Sequence, residues 1–305
     1  MQPIERGTVV VLAHNRRARL LQTLRALQQL PERWPVIVVD NGSSDGTAKA
    51  VSLEFPAVML IRSRRNIGAA ARNIAVAYAH TPYIAFCDAD TCWLPGALQR
   101  AAGIMDANNK VGVVSGRIVE SESGKVDPAC TAMARSPLER ENLPGPQILD
   151  FKTEGSVIRT RAFYEAGGFW PPFFSGGEEA LMALDMADRG WRMVYMEDII
   201  TRRAPSVSRH RESELRRELR NAIWTAWMRL PLGLAWRETL EQLRTAARRH
   251  QLRSVLIAVA SGMARILRRR HVITPRVASM WHRLYQHTVS PSSQHPSAPS
   301  RRSAV

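Results

Sequence analysis

The sequence predicts an α/β fold, a mostly parallel sheet with helices on both faces, followed by a basic helical region. Three observations carry that prediction. Short β-branched apolar runs alternate with helix-length stretches from Thr8 to Ser115, the pattern of strands buried on both faces by crossover helices. Two of the runs end in acids, Asp40 and Asp88, and ligands of such sheets bind beyond the carboxyl ends of the strands. Past residue 205 leucines and tryptophans recur at helical spacing among arginines.

The elements follow in order. Thr8–Ala13 (TVVVLA) reads as a buried strand, and Leu20, Leu24, Leu27 and Leu30 give Arg16–Leu30 a helical stripe. Pro35–Asp40 (PVIVVD) is a second strand, closed by the turn Asn41-Gly42-Ser43-Ser44, with Ser44 or Asp45 able to cap a helix. Ala57–Ile61 is a third strand and Gly68–Ala79 an Ala-rich helix. Pro82–Cys87 is a fourth strand, Leu94–Ala107 a helix and Val111–Ser115 a fifth strand. Residues 116–150 read as an irregular excursion. Phe151–Arg159 is expected as a strand, Glu178–Arg189 as a helix and Trp191–Met196 as the last strand. Helices are expected around Leu215–Trp227, Leu234–Arg249 and Leu252–Arg270, and the Ser/Pro-rich tail from Ser290 reads as disordered. The expected organisation is 1–205, 206–289 and 290–305.

Composition narrows the function classes. With 305 residues and 45 % apolar content the chain can bury a large core. No apolar run reaches the roughly 18 residues of a spanning helix, and Met1–Thr8 has no apolar signal core, which predicts a cytoplasmic protein. Cys87, Cys92 and Cys130 lack metal-type spacing and read as reduced thiols. The net charge of +16 lies wholly in residues 201–305, which hold 21 arginines against 5 glutamates, while 1–200 is balanced. A neutral part suited to chemistry is thus joined to a cationic part suited to an anionic partner.

Four clusters carry chemical potential. Asp88-Ala89-Asp90 places two carboxylates at a strand end, where a loop can turn both toward one hard cation such as Mg²⁺ or Mn²⁺. A solvated strand end with Asp90 as a helix cap explains the pair equally well. Asp40 before a tight turn can read a ribose hydroxyl or a base edge, or form an Asx turn. Gly68 opens a helix whose amino end favours an anion, with Arg72 one turn inside. Gly176-Gly177 precede Glu178 and Glu179, either as a general base in a cleft or as helix-capping acids.

In order and spacing, VVVLAHNR, VIVVDNGSSDGT, NIGAAARN, YIAFCDAD, EGSVIRTRAFYEAGGF and GGEEALMALDMADRGWRMVY resemble family 2 glycosyltransferases of the GT-A fold, over Thr8–Pro205. The resemblance implies inverting transfer of a hexosyl or deoxyhexosyl group from a UDP-, GDP- or dTDP-linked nucleotide sugar to a hydroxyl of a glycan or lipid-linked acceptor, in bacterial surface polysaccharide or glycolipid synthesis. Carried over, Ala13, Asn15, Asp40, Gly68, Arg72 and Asp88 would line the nucleotide site. Asp90, with Asp88, would hold Mg²⁺ or Mn²⁺; Glu179 would be the base, with Glu178 the runner-up. The chain departs from the family pattern at Leu181, where many relatives have Asp, at Asp185, where many have Arg, and at Arg202, where a metal-binding His often stands, with His210 nearby but offset.

In the cationic region, Trp224, Trp227, Trp236 and Trp281 lie among arginine clusters. That mixture suits an interfacial helix on an anionic membrane, placing the protein at the inner face of the plasma membrane. A helical appendage with a solvated arginine face explains it equally. Two rivals rank lower. A nucleic-acid-binding protein on a degenerate scaffold would show a binding motif, and none is present; no nucleic-acid partner is expected. A nucleotidyltransferase would need a Gly-rich basic loop after the first strand.

Overall fold

The computed structural model describes residues 6–140, 142–205 and 211–289. His210 and the tail from Ser290 lie outside them. Eight strands form one mixed sheet: β1 (Gly7–Ala13), β2 (Val36–Asp40), β3 (Met59–Arg62), β4 (Tyr83–Asp88), β5 (Thr91–Trp93), β6 (Val111–Glu120), β7 (Ser156–Arg159) and β8 (Arg192–Arg203), in the order β3-β2-β1-β4-β7-β6-β8-β5. The β3-β2-β1-β4 half is parallel throughout. In the other half β7 runs antiparallel to both neighbours, β6 and β8 are parallel, and β5 returns antiparallel on the edge.

Alternation along the strands feeds two apolar layers. Val9 and Val11 of β1 point to the face covered by α1 (Arg17–Gln28), α2 (Thr47–Glu54) and α4 (Ala97–Ala107), whereas Val10 points to the other. That second face is covered by α3 (Ala71–Tyr78), α6 (Thr160–Ala166) and α7 (Glu178–Asp188). Cys87 is fully buried, and all three cysteines are free thiols.

Several boundaries differ from the sequence reading. The Ala-rich helix begins as a single 3₁₀ turn at Gly68–Ala70, because Gly68 sits at φ +67°. The helix expected from Leu94 starts at Ala97, since Thr91–Trp93 pairs with β8 as an edge strand. Residues 116–150 are less irregular than expected. β6 continues to Glu120 alongside β8, and α5 (Pro128–Ala134) follows, capped by the Asp127 carboxylate accepting the Ala129 amide at 2.9 Å. The stretch Leu252–Arg270 breaks at Ser261-Gly262 into α10 (Leu252–Ala260) and α11 (Met263–Arg268). A side chain at Gly262 would overlap the Trp224 ring, which explains the glycine there.

The remaining helices are α8 (Arg211–Arg229), α9 (Leu232–Arg248) and α12 (Pro275–Val289). They share the core of the sheet: Ala226, Leu230, Ala235, Ile273, Val277 and Met280 lie in the same apolar cluster as Phe86, Ile158 and Met186. Two departures from the family pattern find their reason here. Leu181 packs with Phe173, Trp224, Met228 and Ile266, and Asp185 forms a two-pronged ion pair with Arg229 of α8. Both α7 positions dock the C-terminal helices.

Candidate active site

Beyond the carboxyl ends of β1 and β4 lies a cavity of about 600 Å³, lined by His14, Arg16, Asn41, Gly68, Arg72, Asp88, Asp90, Glu154, Glu178 and Arg203 among others. A second cavity of about 510 Å³ adjoins it and shares Arg72, Asp88, Glu154 and Glu178; Lys152, Glu179, Glu218 and Gln242 complete its walls. Together they form one cleft, rich in carboxylates. A larger cavity, about 1010 Å³, opens at the amino ends of β1, β2 and β3 and holds a single carboxylate, Glu32. It offers no comparable chemistry.

The floor of the cleft is set by β4. The Thr91 hydroxyl accepts the Asp88 amide at 2.8 Å, and this turns the strand end so that Asp88 and Asp90 both face the cleft. Asp88 pairs with the buried guanidinium of Arg72, and Asp90 with Arg16 at 3.3 Å and Arg19 at 3.9 Å. Burial opposes the charge of Arg72, but Asp88, Glu178 and Glu179 outweigh it and hold the guanidinium more firmly protonated than usual. Its Nε has no protein partner, and its plane lies 5.8 Å from the Phe169 ring.

One wall is built by mutual support of two loops. The Asn41 amide donates to the Asn66 side chain at 2.9 Å and to the Gly68 carbonyl at 3.1 Å, and its oxygen accepts the Ile67 amide at 3.0 Å. The Ala69 amide in turn donates to the Phe174 carbonyl at 2.6 Å. A Cβ on Gly68 would lie 1.9 Å from that carbonyl oxygen, so only glycine lets the loops meet.

The opposite rim carries Glu178 and Glu179. Gly176 and Gly177, at φ +85° and +80°, turn the chain into α7. Glu178 is buried, with Oε2 lacking a partner; burial and the neighbouring Glu179 push its carboxyl up to about 8. Glu179 is half-buried and accepts the Thr153 hydroxyl at 2.7 Å. Burial, with the charges of Asp88 and Glu179, pushes Glu154 up to about 7, and burial with Asp88 raises Asp90. The cleft thus lines up more acids than cations, and Glu178 and Glu154 hold protons in response.

That imbalance bears on the metal. Among the described residues no three His, Cys, Asp or Glu side chains form a ready cage. Asp88 and Asp90 are hard oxygen donors, however, and Mg²⁺ or Mn²⁺ is commonly held by one or two carboxylates plus substrate phosphates. The donor set fits such a cation.

The structure brings Gly68, Arg72, Asp88, Asp90, Glu178 and Glu179 to this cleft. Ala13 and Asp40 are buried at the tips of β1 and β2, and Asn15 is exposed beyond them; none is among the residues lining the cleft. Asp40 accepts the Ser43 amide at 3.0 Å, an Asx turn, and Asn15 accepts the Ser44 amide at 2.8 Å. At the end of β8 the sequence reading singled out Arg202. Strand alternation turns Arg202 outward and Arg203 into the cleft, where it pairs with Asp127 at 2.8 Å and Glu154 at 3.3 Å. His14, Glu154 and Arg203 are lining residues that the sequence reading missed. The last strand was expected to end at Met196, and a register shift between Met196 and Ile200 breaks the alternation, so no local count leads to Arg203.

Residues 8–169 match the family described as Glycosyl transferase family 2. The chain belongs to glycosyl transferase family 2. An uncharacterized glycosyltransferase of Haemophilus influenzae is 28% identical over 109 residues, 35% of this chain and 37% of that protein. The succinoglycan biosynthesis protein ExoU of Rhizobium meliloti is 28% identical over 170 residues, 54% of this chain and 47% of ExoU. The chain therefore spans less than half the length of these relatives. The N-acetylglucosaminyl-diphospho-decaprenol L-rhamnosyltransferase of Mycobacterium tuberculosis is 24% identical over 295 residues, 81% of this chain and 96% of that enzyme. Among solved structures, the mannosyltransferase PcManGT of Pyrobaculum calidifontis, in complex with GDP-Man and Mn²⁺, aligns with a TM-score of 0.55 at 20% identity, covering 94% of this chain and 87% of that one. S. aureus TarS 1-349 with UDP-GlcNAc aligns with a TM-score of 0.56 at 18% identity, covering 72% and 65%. The family 2 chain thus has the GT-A fold, with its helical region at the carboxyl end.

Proposed function

We propose that this family 2 protein is an inverting glycosyltransferase that moves a hexosyl or deoxyhexosyl group from a UDP-, GDP- or dTDP-linked donor to a hydroxyl of a glycan or lipid-linked acceptor, in bacterial surface glycan synthesis at the inner face of the plasma membrane. One observation carries the reading: Asp88 and Asp90 line one cavity, Glu179 lines the adjoining one, and Asp88 and Arg72 line both.

In this reading the donor's nucleotide lies along the β1–β4 side, with Ala13, Asn15 and Asp40 near its base and ribose and Gly68, Arg72 and Asp88 near its phosphates. Arg16, Arg72 and Arg203 supply fixed positive charge there, which favours a leaving diphosphate. Asp90 and Asp88 would hold Mg²⁺ or Mn²⁺, whose chemistry is Lewis-acid stabilisation of that leaving group. The acceptor hydroxyl occupies the second cavity. Glu179 takes its proton while the hydroxyl oxygen bonds to the anomeric carbon; the bond from that carbon to the diphosphate oxygen breaks, and its electron pair leaves with the nucleotide. A single displacement inverts the anomeric centre. Glu178, protonated below about pH 8, is the poorer base and the better hydrogen-bond donor, which favours Glu179 for the role. Thr153 fixes one Glu179 oxygen and leaves the other for the acceptor.

The test is nucleotide release from a panel of nucleotide sugars with Mn²⁺ or Mg²⁺, run beside Asp90→Ala and Glu179→Ala. Release from one donor, abolished by chelation and in both variants, supports the reading and names the sugar. Failure of every donor and of nucleoside diphosphate binding sinks it.

A further inference from the structure

Among the described residues no helix is long and apolar enough to cross a membrane, yet large exposed apolar side chains concentrate in one region. Eight of the twelve lie between residues 232 and 272. Three of them, Leu232, Trp236 and Leu240, recur every fourth residue along α9 and are 59, 56 and 50 % exposed, so they form one outward row. The row inside the same helix is Ala235, Thr239 and Ala246, all buried, with Gln242 between them lining the acceptor cavity. After the turn at His250-Gln251, α10 packs against α8 and α9 and exposes Leu252, Leu256 and Ile257. Exposed arginines, Arg244, Arg248 and Arg253, flank these apolar residues.

The other three tryptophans of the region are accounted for internally. Trp224 is buried, Trp227 packs in the core and bonds to Thr239 at 3.0 Å, and Trp281 stacks on Tyr285. Trp236 packs one edge on the Trp227 ring at 5.1 Å and is the exposed one of the four.

We propose that the outer faces of α9 and α10 form a docking surface for an anionic lipid bilayer, with Leu232, Trp236, Leu240, Leu252, Leu256 and Ile257 entering the headgroup region. Apolar rows, a tryptophan and arginines whose stems reach to phosphates are what an interfacial helix requires. Charge decides between lipid and a second copy of this chain: two such arginine-rich faces would repel each other, while an anionic surface attracts them. The placement has a consequence. Gln242, which lines the acceptor cavity, lies across α9 from the outer row, one helix diameter or about 10 Å away, so in this proposal a lipid-borne sugar is presented within a helix width of the cleft. This deepens the reading above on where the acceptor is presented and does not depend on the donor side.

The 305-residue chain is sedimented with vesicles of phosphatidylcholine containing about 30 % phosphatidylglycerol at about 0.05 M salt, and with phosphatidylcholine alone. The wild type is expected to co-sediment with the anionic vesicles and weakly with the neutral ones. Trp236→Glu/Leu240→Glu should lower partitioning at least about tenfold, while Leu53→Glu, at a still more exposed leucine on α2, leaves it unchanged. Brominated lipids should quench fluorescence in the wild type and less in Trp236→Phe. Wild type that stays in the supernatant, a double variant that binds as well as wild type, or a dimer in solution that the double variant dissolves would overturn the proposal; the last would assign the face to a second copy. Nucleotide release is scored on the wild-type samples: release without vesicle binding defeats the docking surface alone, and vesicle binding without release from any donor defeats the transfer reading alone.

Discussion

The side-chain amide of Asn221 in α8 donates to the Gly176 carbonyl at 2.5 Å, so a C-terminal helix holds the turn from which Glu178 and Glu179 emerge. The same amide reaches the carbonyls of Phe173 and Ser175, and its oxygen accepts from Arg220 at 2.8 Å. Asn221 is fully buried. Asn221→Ala would take this donor from the Ser175 and Gly176 carbonyls, while Phe173 keeps Arg220 and the Ser175 amide, at a cost of about 1–3 kcal/mol. Thermal unfolding should show that loss, and turnover should fall more than nucleoside diphosphate binding, because the loosened turn carries Glu179 and not the Asp88 side of the cleft.

Gly68→Ala tests the contact between the two loops. The new methyl would meet the Phe174 carbonyl at 1.9 Å in a backbone conformation that L residues rarely adopt. Destabilisation of roughly 1–3 kcal/mol is expected, together with weaker nucleotide binding, read by calorimetry.

Asp90→Asn keeps the shape of the side chain and removes its charge. Nucleoside diphosphate binding in the presence of Mn²⁺ should weaken, and its dependence on the metal should disappear; binding that stays fully metal-dependent would remove Asp90 from the cation site. The Arg16 and Arg19 partners of Asp90 are left uncompensated, so residual metal-free nucleotide binding should persist or strengthen.

Glu179→Gln retains an acceptor for the Thr153 hydroxyl and removes the base. Transfer should fall about 10²–10⁴-fold with little change in donor affinity. An equal loss in Glu178→Gln with none in Glu179→Gln would exchange the two roles.

Glu178 also predicts a pH dependence of stability. Its carboxyl is pushed up to about 8 in the fold by burial and by Glu179, against roughly 4.3 for an unfolded glutamate. Between those values the native state binds the extra proton, so this group's contribution is full below about pH 4 and is lost as pH rises toward 8. Denaturant titrations from pH 5 to pH 8.5 should show a decline that Glu178→Gln makes shallower. An unchanged slope in the variant would remove Glu178 as its source.

The α/β alternation, the strand-end acids and the Gly-Gly turn were legible in the sequence because each is local: burial on two faces demands apolar runs, and a parallel sheet delivers its strand ends to one edge. The two loops of the wall were half legible. Asn41 and Gly68 read as turn and helix start, but their bond to each other, and the fit of Gly68 under Phe174, join residues far apart in the chain. Arg202 shows how a one-residue shift misleads. Which of two adjacent arginines faces a site depends on strand register, and here β8 runs on to Arg203 because β5 pairs with it.

The sequence by itself determined the sheet, the family pattern and the location of all the excess positive charge, since these follow from periodicity, motif order and composition. Only the tertiary structure decided the place of the C-terminal helices. Their arginines marked a basic region that read equally as an interfacial helix or as an appendage packed on the first domain; Leu181, Asp185 and Asn221 dock those helices on the half that carries the cleft, and Gln242 lines its second cavity. Helical spacing reveals that a helix has an apolar face; what that face meets is settled by long-range packing. Trp224 and Trp236 differ by one core and one solvent contact that no local pattern distinguishes.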